Sequence, residues 1–419
     1  MTGKVSSAIA QQILFGFLFR IIGSLAGFAT TAYILRNLDA ASAASYFVAI
    51  SVISIASCLG MAGLHTAIVQ KVPILLSDEA VVPAGRYLYG SICAGLAISS
   101  FVCFSLIFAF MLQPDVFPPS LRDGTAAILL FTSIPLSVLT AILSYGAQAF
   151  GHPKHALFLS SLCFGSFFLF FLSLLRPDAL ISIVACYVLA QLATTFVAFF
   201  ILRPHLVGWP PSDFKRTAMG GLAYLQIHLT LEISTQTVPL FLAYLSSPLN
   251  ISVFAISMKI AMIFASVQSL VSRVYMPLFS VSYSKSDFLA LRRSFVGATL
   301  CYAALAIPMC ASVVFFSGTI ITFFNPSLAP FSYVLVVVVL GQVGSSAFGP
   351  GADFLSMVGH ADFVRNALVM TAVASALLSL FLIPSYGALG AAFVYSASLI
   401  AHSASCLIKS YRLLQRRAT

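Results

Sequence analysis

Twelve stretches of this chain read as candidate membrane-crossing helices, and no other feature narrows its folding choices as much. They run at about 13–35, 45–69, 87–112, 125–149, 156–175, 179–202, 222–245, 251–274, 295–318, 331–352, 366–383 and 388–408. The hydrocarbon core takes roughly 20 residues of helix to cross. Backbone N–H and C=O groups find no water there, so such a run closes its hydrogen bonds within one helix. Hydrophobic residues are 60% of the 419 and charged residues 8%, against about 25% charged in soluble domains. A water-soluble fold has no means of burying that much apolar surface. The spans leave only short connectors, so the expected fold is an all-α polytopic membrane protein of about twelve transmembrane helices, without an extramembrane domain. The first run, Ile13 to Leu35, is too long for the apolar core of a signal peptide and is expected to stay as the first span.

The net charge of +10 does not point to nucleic acid, because the basic residues lie between apolar runs and form no dense stripe able to follow phosphates. They sort by side instead. With the N-terminus placed in the cytoplasm, the inner side holds sixteen: Lys4, Lys71, Arg86, Lys154, Arg203, Lys215, Arg216, Arg273, Lys285, Arg292, Arg293, Arg365, Lys409, Arg412, Arg416 and Arg417. The outer side holds three, Arg36, Arg122 and Arg176. This positive-inside bias predicts cytoplasmic termini and a multi-pass cell (inner) membrane protein. Eight cysteines are scattered through the spans without paired spacing and are expected to serve as small apolar packing residues.

The chain matches itself at about half its length. Gly151-His152 pairs with Gly359-His360, Ala49-Ile50-Ser51 with Ala255-Ile256-Ser257, and Ala179-Leu180 with Ala388-Leu389, at offsets of 208, 206 and 209. Three ordered matches at nearly one offset predict two six-helix bundles, 1–208 and 209–419. Six is even, so the halves enter the membrane from one side and are expected to be related by an axis along its normal.

An ionisable side chain at the centre of a span costs about 2.5–3.5 kcal/mol on insertion scales. Arg20, Glu232 and Lys259 stand there nonetheless. In span seven Tyr224, His228, Glu232, Thr235, Gln236 and Pro239 follow helical three-and-four spacing. In span eight Ser252, Lys259, Ser266 and Arg273 recur every seven residues. Span one adds Arg20, Ser24, Gly27 and Thr31; span two adds Ser51, Ser54, Cys58 and His65. These stripes fall on spans one, two, seven and eight, equivalent pairs in the two halves. They suggest a central, net cationic cavity lined by Arg20, His65, His228, Glu232, Lys259 and Arg273, for which an anionic headgroup is the natural guest. Plainer readings stand beside this one: Glu232 and Lys259 as a buried ion pair, Arg20 reaching back to lipid phosphates, Arg273 setting topology, and the two histidines packing as neutral rings. Pro239 is read as a bend or hinge in span seven, with a static kink as the plain alternative.

No Gly-x-x-x-x-Gly-Lys-Ser/Thr phosphate loop occurs. Asp78-Glu79 is the one adjacent acidic pair and reads as a solvated loop, so no metal site and no cofactor are expected. The longest outer connectors, near Gln113 to Gly124 and Thr319 to Pro330, are about a dozen residues, which leaves no room for an acceptor-binding catalytic domain. An enzyme is not expected.

Four segments carry a family resemblance: Gly60 to Val72 (GMAGLHTAIVQKV), Gly146 to Leu157 (GAQAFGHPKHAL), Pro350 to Leu368 (PGADFLSMVGHADFVRNAL) and Tyr386 to Ala397 (YGALGAAFVYSA). Taken in order, with twelve spans and a six-plus-six repeat, the chain resembles the polysaccharide transporters and O-antigen flippases of the multidrug/oligosaccharidyl-lipid/polysaccharide (MOP) exporter superfamily. The resemblance implies a V-shaped, MATE-like pair of six-helix bundles with helices one, two, seven and eight around the cavity. It also implies movement of a polyprenyl-diphosphate-linked glycan between leaflets by alternating access. Expected partners are that glycan, the lipid bilayer, a coupling ion (H+ or Na+) carried by Glu232 or a histidine, and other polysaccharide-assembly membrane proteins. MATE-like multidrug/cation antiporters and lipid II flippases resemble the chain too. The antiporters favour acidic cavities, where this chain has Glu232 alone; lipid II flippases carry two further helices that 419 residues do not provide.

Overall fold

The computed structural model describes residues 2–77, 80–121, 124–206 and 214–416. Asp78-Glu79, Arg122 and Arg417 lie outside them, as does the expected bundle boundary at 208/209. Among the described residues the structure is helical, with no strand. The first half contains α1 (Thr2–Asn37), α2 (Ala40–Met61), α3 (Leu64–Ser77), α4 (Val81–Leu112), α5 (Gly124–Phe131), α6 (Ser133–Ala149), α7 (Pro153–Leu157), α8 (Phe164–Leu175) and α9 (Leu180–Leu202). The second contains α10 (Phe214–Leu245), α11 (Pro248–Ser284), α12 (Phe288–Phe315), α13 (Ser317–Phe324), α14 (Ser332–Ala347), α15 (Gly351–Met357), α16 (Ala361–Tyr386) and α17 (Ala388–Arg416). Each of the twelve expected spans falls on one helix or on a broken helical rod. Eleven are long and apolar enough to cross a membrane. The twelfth, α10, is diluted by His228, Glu232, Thr235 and Gln236.

Large apolar side chains face outward in stripes, as on lipid-facing helices. On α4 Phe101, Phe104, Phe108 and Met111 lie at helical spacing and are 54–72% exposed. On α9 Phe196 and Phe200 are 71% and 67% exposed. In water such continuous stripes would drive association; against acyl chains they cost nothing.

By internal contacts the chain divides into two compact units, Met1–Glu232 and Ile233–Thr419, so the division falls inside α10. Each unit uses one neighbour order. In the first, α4 packs on α6, α6 and α8 pack on α9, and α2 packs on both α4 and α6. In the second, α12 packs on α14, α14 and α16 pack on α17, and α11 packs on both α12 and α14. The matched Gly-His pairs adopt the same turn. Gly151 and Gly359 sit at φ 83° and 84°, and the N–H groups of His152 and His360 close onto the carbonyls of Ala147 and Leu355 at 2.9 and 2.8 Å. Glycine is used there because the left-handed cap is costly for other residues.

Pro135 explains why the fourth span is two helices. It has no N–H to offer Phe131, α5 ends at that residue, and the freed Phe131 carbonyl accepts from Cys103 Sγ at 3.2 Å instead. In hydrocarbon an orphaned carbonyl is replaced by some donor, and a cysteine on α4 supplies it.

Candidate functional site

The site begins with a break in the second span. Ala62 and Gly63 take positive φ, 46° and 73°, which ends α2 and restarts the chain as α3 in a new direction. At that point α10 comes into backbone contact. A methyl group on Gly63 would lie 2.2 Å from the Gly221 carbonyl oxygen, and one on Gly221 would lie 2.5 Å from the Ala62 carbonyl oxygen. Only a residue without Cβ fits either place, the close approach that small residues allow between membrane helices.

This contact zips a run of polar side chains along α2, α3 and α10. Ser54 donates to Glu232 Oε1 at 2.5 Å. His65 and His228 meet Nε2 to Nε2 at 3.1 Å, and Thr66 Oγ1 lies 2.9 Å from the same His228 nitrogen. Tyr224 donates to Gln70 Oε1. His65 is buried, 6% exposed, with its ring centroid 5.0 Å from that of Tyr145 on α6. The two facing nitrogens hold one proton between them in the neutral pair, since an N–H must meet a lone pair. The seam therefore joins His65, His228 and Glu232 of the expected cavity lining.

The remaining members are placed separately. Arg20 is half-buried on α1. Arg273 lies on α11, but its side chain is outside the described residues. Lys259 is half-buried on α11, with no hydrogen-bond or ion-pair partner among the described residues of the second unit. The hydroxyls of its seven-residue stripe turn inward on their own helix: Ser252 donates to Pro248 O and Ser266 to Met262 O. Pro239 lies within a continuous α10, seven residues beyond the division between the units.

The second unit also holds a polar cluster that the sequence reading does not contain. Asp353 Oδ2 on α15 accepts from Ser272 of α11 at 2.5 Å and from Tyr302 of α12 at 3.3 Å. One turn away Gln268 donates to Ser346 Oγ and accepts from Gln342 at 3.2 Å. Its residues come from four helices, so no spacing along the chain announces it. Gly63, Gly220 and Gly221 did carry a signal, as glycines inside apolar runs where helices approach closely. Among the described residues no group of three or more His, Cys, Asp or Glu is arranged to hold a metal ion.

The fold matches that of solved MOP superfamily transporters. The chain is similar to an inward-facing multidrug resistance MATE family transporter, at TM-score 0.75 and 11% identity over 97% of this chain and 99% of that one. It is similar to the lipid II flippase MurJ in an inward closed conformation, at TM-score 0.76 and 14% identity over 97% and 90%. A MOP transporter from Pyrococcus furiosus, described as having a binding pocket of reverse polarity, matches at TM-score 0.68 and 11% identity over 97% and 96%. No protein-family model matches the sequence, and no curated protein matches it.

Proposed function

We propose that the chain is a flippase that moves a polyprenyl-diphosphate-linked oligosaccharide from the cytoplasmic to the periplasmic leaflet for O-antigen, capsule or exopolysaccharide assembly. The observation that carries the reading is Lys259, a cation inside an apolar span that makes no salt bridge to any described residue of its unit. An ammonium kept there at a cost of a few kcal/mol fits a cargo that brings the missing negative charge. Arg273 of the same unit is assigned to the same headgroup, Arg20 of the first unit is assigned as a further anion-binding cation, and hydroxyls and amides of the spans are assigned to the glycan. The reverse-polarity pocket described for the Pyrococcus furiosus transporter supports the idea that this fold accepts a cavity of opposite sign. Pro239 is assigned as the bend that lets α10 change shape during the cycle.

Gene deletion tests the reading: lipid-linked repeat units accumulate on the cytoplasmic leaflet and the wild-type gene restores their export. Rescue by Lys259→Ala and Arg20→Ala falls at least tenfold. Full rescue by both sinks the cationic mechanism, and absence of accumulation sinks the flippase assignment. A cation antiporter is the second reading, favoured by Glu232, a carboxylate within α10 held by Ser54. It predicts efflux of small cations that Glu232→Gln abolishes, with no change in lipid-linked glycans. A lipid II flippase predicts accumulation of lipid II itself.

A further inference from the structure

Gly220 and Gly221 are adjacent on α10, and packing requires only one of them. Gly221 abuts the Ala62 backbone, whereas a methyl on Gly220 would meet two side-chain ends: Lys71 Nζ at 2.9 Å and Tyr87 Oη at 3.6 Å. Lys71 comes from α3, with its ammonium 5.1 Å from the centre of the Tyr87 ring on α4. It has no carboxylate partner among the described residues. Tyr87 is 8% exposed and its hydroxyl is buried without a hydrogen-bond partner among the described residues. The Tyr224 hydroxyl, one turn further along α10, bonds to Gln70. A cation and an unused O–H thus converge above a stretch of helix that lacks a side chain.

Those donors ask for an acceptor. Buried phenols are normally hydrogen-bonded, and a cation beside an unused O–H donor is complementary to an anion with several acceptor oxygens. We infer that Lys71 and Tyr87, whose polar ends pack over the bare backbone of Gly220, form a binding site for a phosphate group on the side of the membrane that the positive-inside pattern marks as cytoplasmic, the flexible lysine end moving aside to admit it. One phosphoryl oxygen accepts from Tyr87, and another takes the Lys71 ammonium. Lys71, counted in the sequence as a topology residue, becomes a ligand-binding one. Assigning this as the place where the lipid-linked diphosphate is first held rests on the flippase reading; the phosphate site does not.

The test uses full-length protein in phosphatidylcholine nanodiscs, titrated in separate arms with inorganic pyrophosphate, farnesyl diphosphate and phosphatidylglycerol. Wild type binds, and Lys71→Gln and Tyr87→Phe each weaken binding by about tenfold or more, the loss expected for one hydrogen bond to a charged group. Lys71→Arg restores it. Tyr87→Phe leaves the melting temperature unchanged or raises it, because the hydroxyl it removes has no partner among the described residues. A merely structural role for this tyrosine therefore does not produce the loss of affinity. Losses in the diphosphate arms assign the site to a diphosphate cargo; a loss confined to phosphatidylglycerol assigns it to a phospholipid headgroup. Equal affinity of wild type and both variants in every arm, or no binding by wild type, overturns the site. If deletion causes no glycolipid accumulation but these losses occur, the flippase reading fails and the phosphate site stands.

Discussion

Spans two and eight occupy equivalent places in the two units, yet one is broken and the other is not. Span two stops at Ala62-Gly63 and resumes as α3, whereas α11 runs unbroken from Pro248 to Ser284. The difference lies in one residue type: α11 contains no glycine, while Gly63 supplies the positive φ that a turn within a rod requires. Their starts differ too. Asp39 caps α2 by accepting from the N–H groups of Ala41 and Ser42, at 3.0 and 3.3 Å, while Ser247 begins α11 without a side-chain cap. The broken rod brings α10 into backbone contact and spends its polar groups on that seam. The unbroken one keeps Lys259 without a hydrogen-bond or ion-pair partner among the described residues of its own unit.

The harshest way to break this comparison is to fill the glycine contact. Gly63→Val places a branched Cβ where a methyl already lies 2.2 Å from a carbonyl oxygen, in a backbone conformation that valine avoids. A loss of about 3 kcal/mol or more is expected, read as collapse of folded yield and melting temperature in detergent. Ser269→Ala, at the corresponding place in α11, changes either by little.

Lys259→Met separates function from stability. It removes a charge from the membrane interior, so the melting temperature holds or rises, while transport falls at least tenfold, about 1.4 kcal/mol. A drop in stability with unimpaired transport would make Lys259 a structural residue.

The histidine pair sharpens the seam. His65→Phe, His228→Phe and the double variant, compared by unfolding, should show a coupling of about 1 kcal/mol. Additive losses would mean that the 3.1 Å contact contributes nothing of its own.

The caps give the smallest effect. Asp39→Ala is expected to cost at most about 1 kcal/mol, because the carboxylate is exposed, and Ser247→Ala about zero. The hydrogen bond with Ser42 heads the interactions that hold the Asp39 carboxyl below its usual 3.8. Its contribution is therefore present above that value and lost as the pH falls through the lower folded one. The wild-type advantage over Asp39→Ala should vanish in that acid window and be constant near neutrality.

Part of the polar seam was legible from residue spacing because a helix converts spacing into a face. His228 and Glu232, four apart, do share the seam, and His65 was identified from its place in span two. Spacing could not pair His65 with His228, since 163 residues separate them and the meeting depends on a turn at Gly63. It also gave no hint of Asp353, whose partners lie on two other helices, or of Tyr87, whose isolation is a property of its surroundings.

The long continuous apolar runs determined that this chain lives in a membrane as a bundle of helices, because such a run in hydrocarbon satisfies its backbone hydrogen bonds within one helix, whereas a barrel needs short alternating strands. The internal repeat, at offsets of 206 to 209 residues, and the outward lipid-facing stripes, at helical spacing, are both written in the order of residues. Tertiary structure decided which polar groups are used up and which stay available. Pairing depends on ångström distances between helices far apart in sequence, and those distances are set by where a missing Cβ lets two backbones touch.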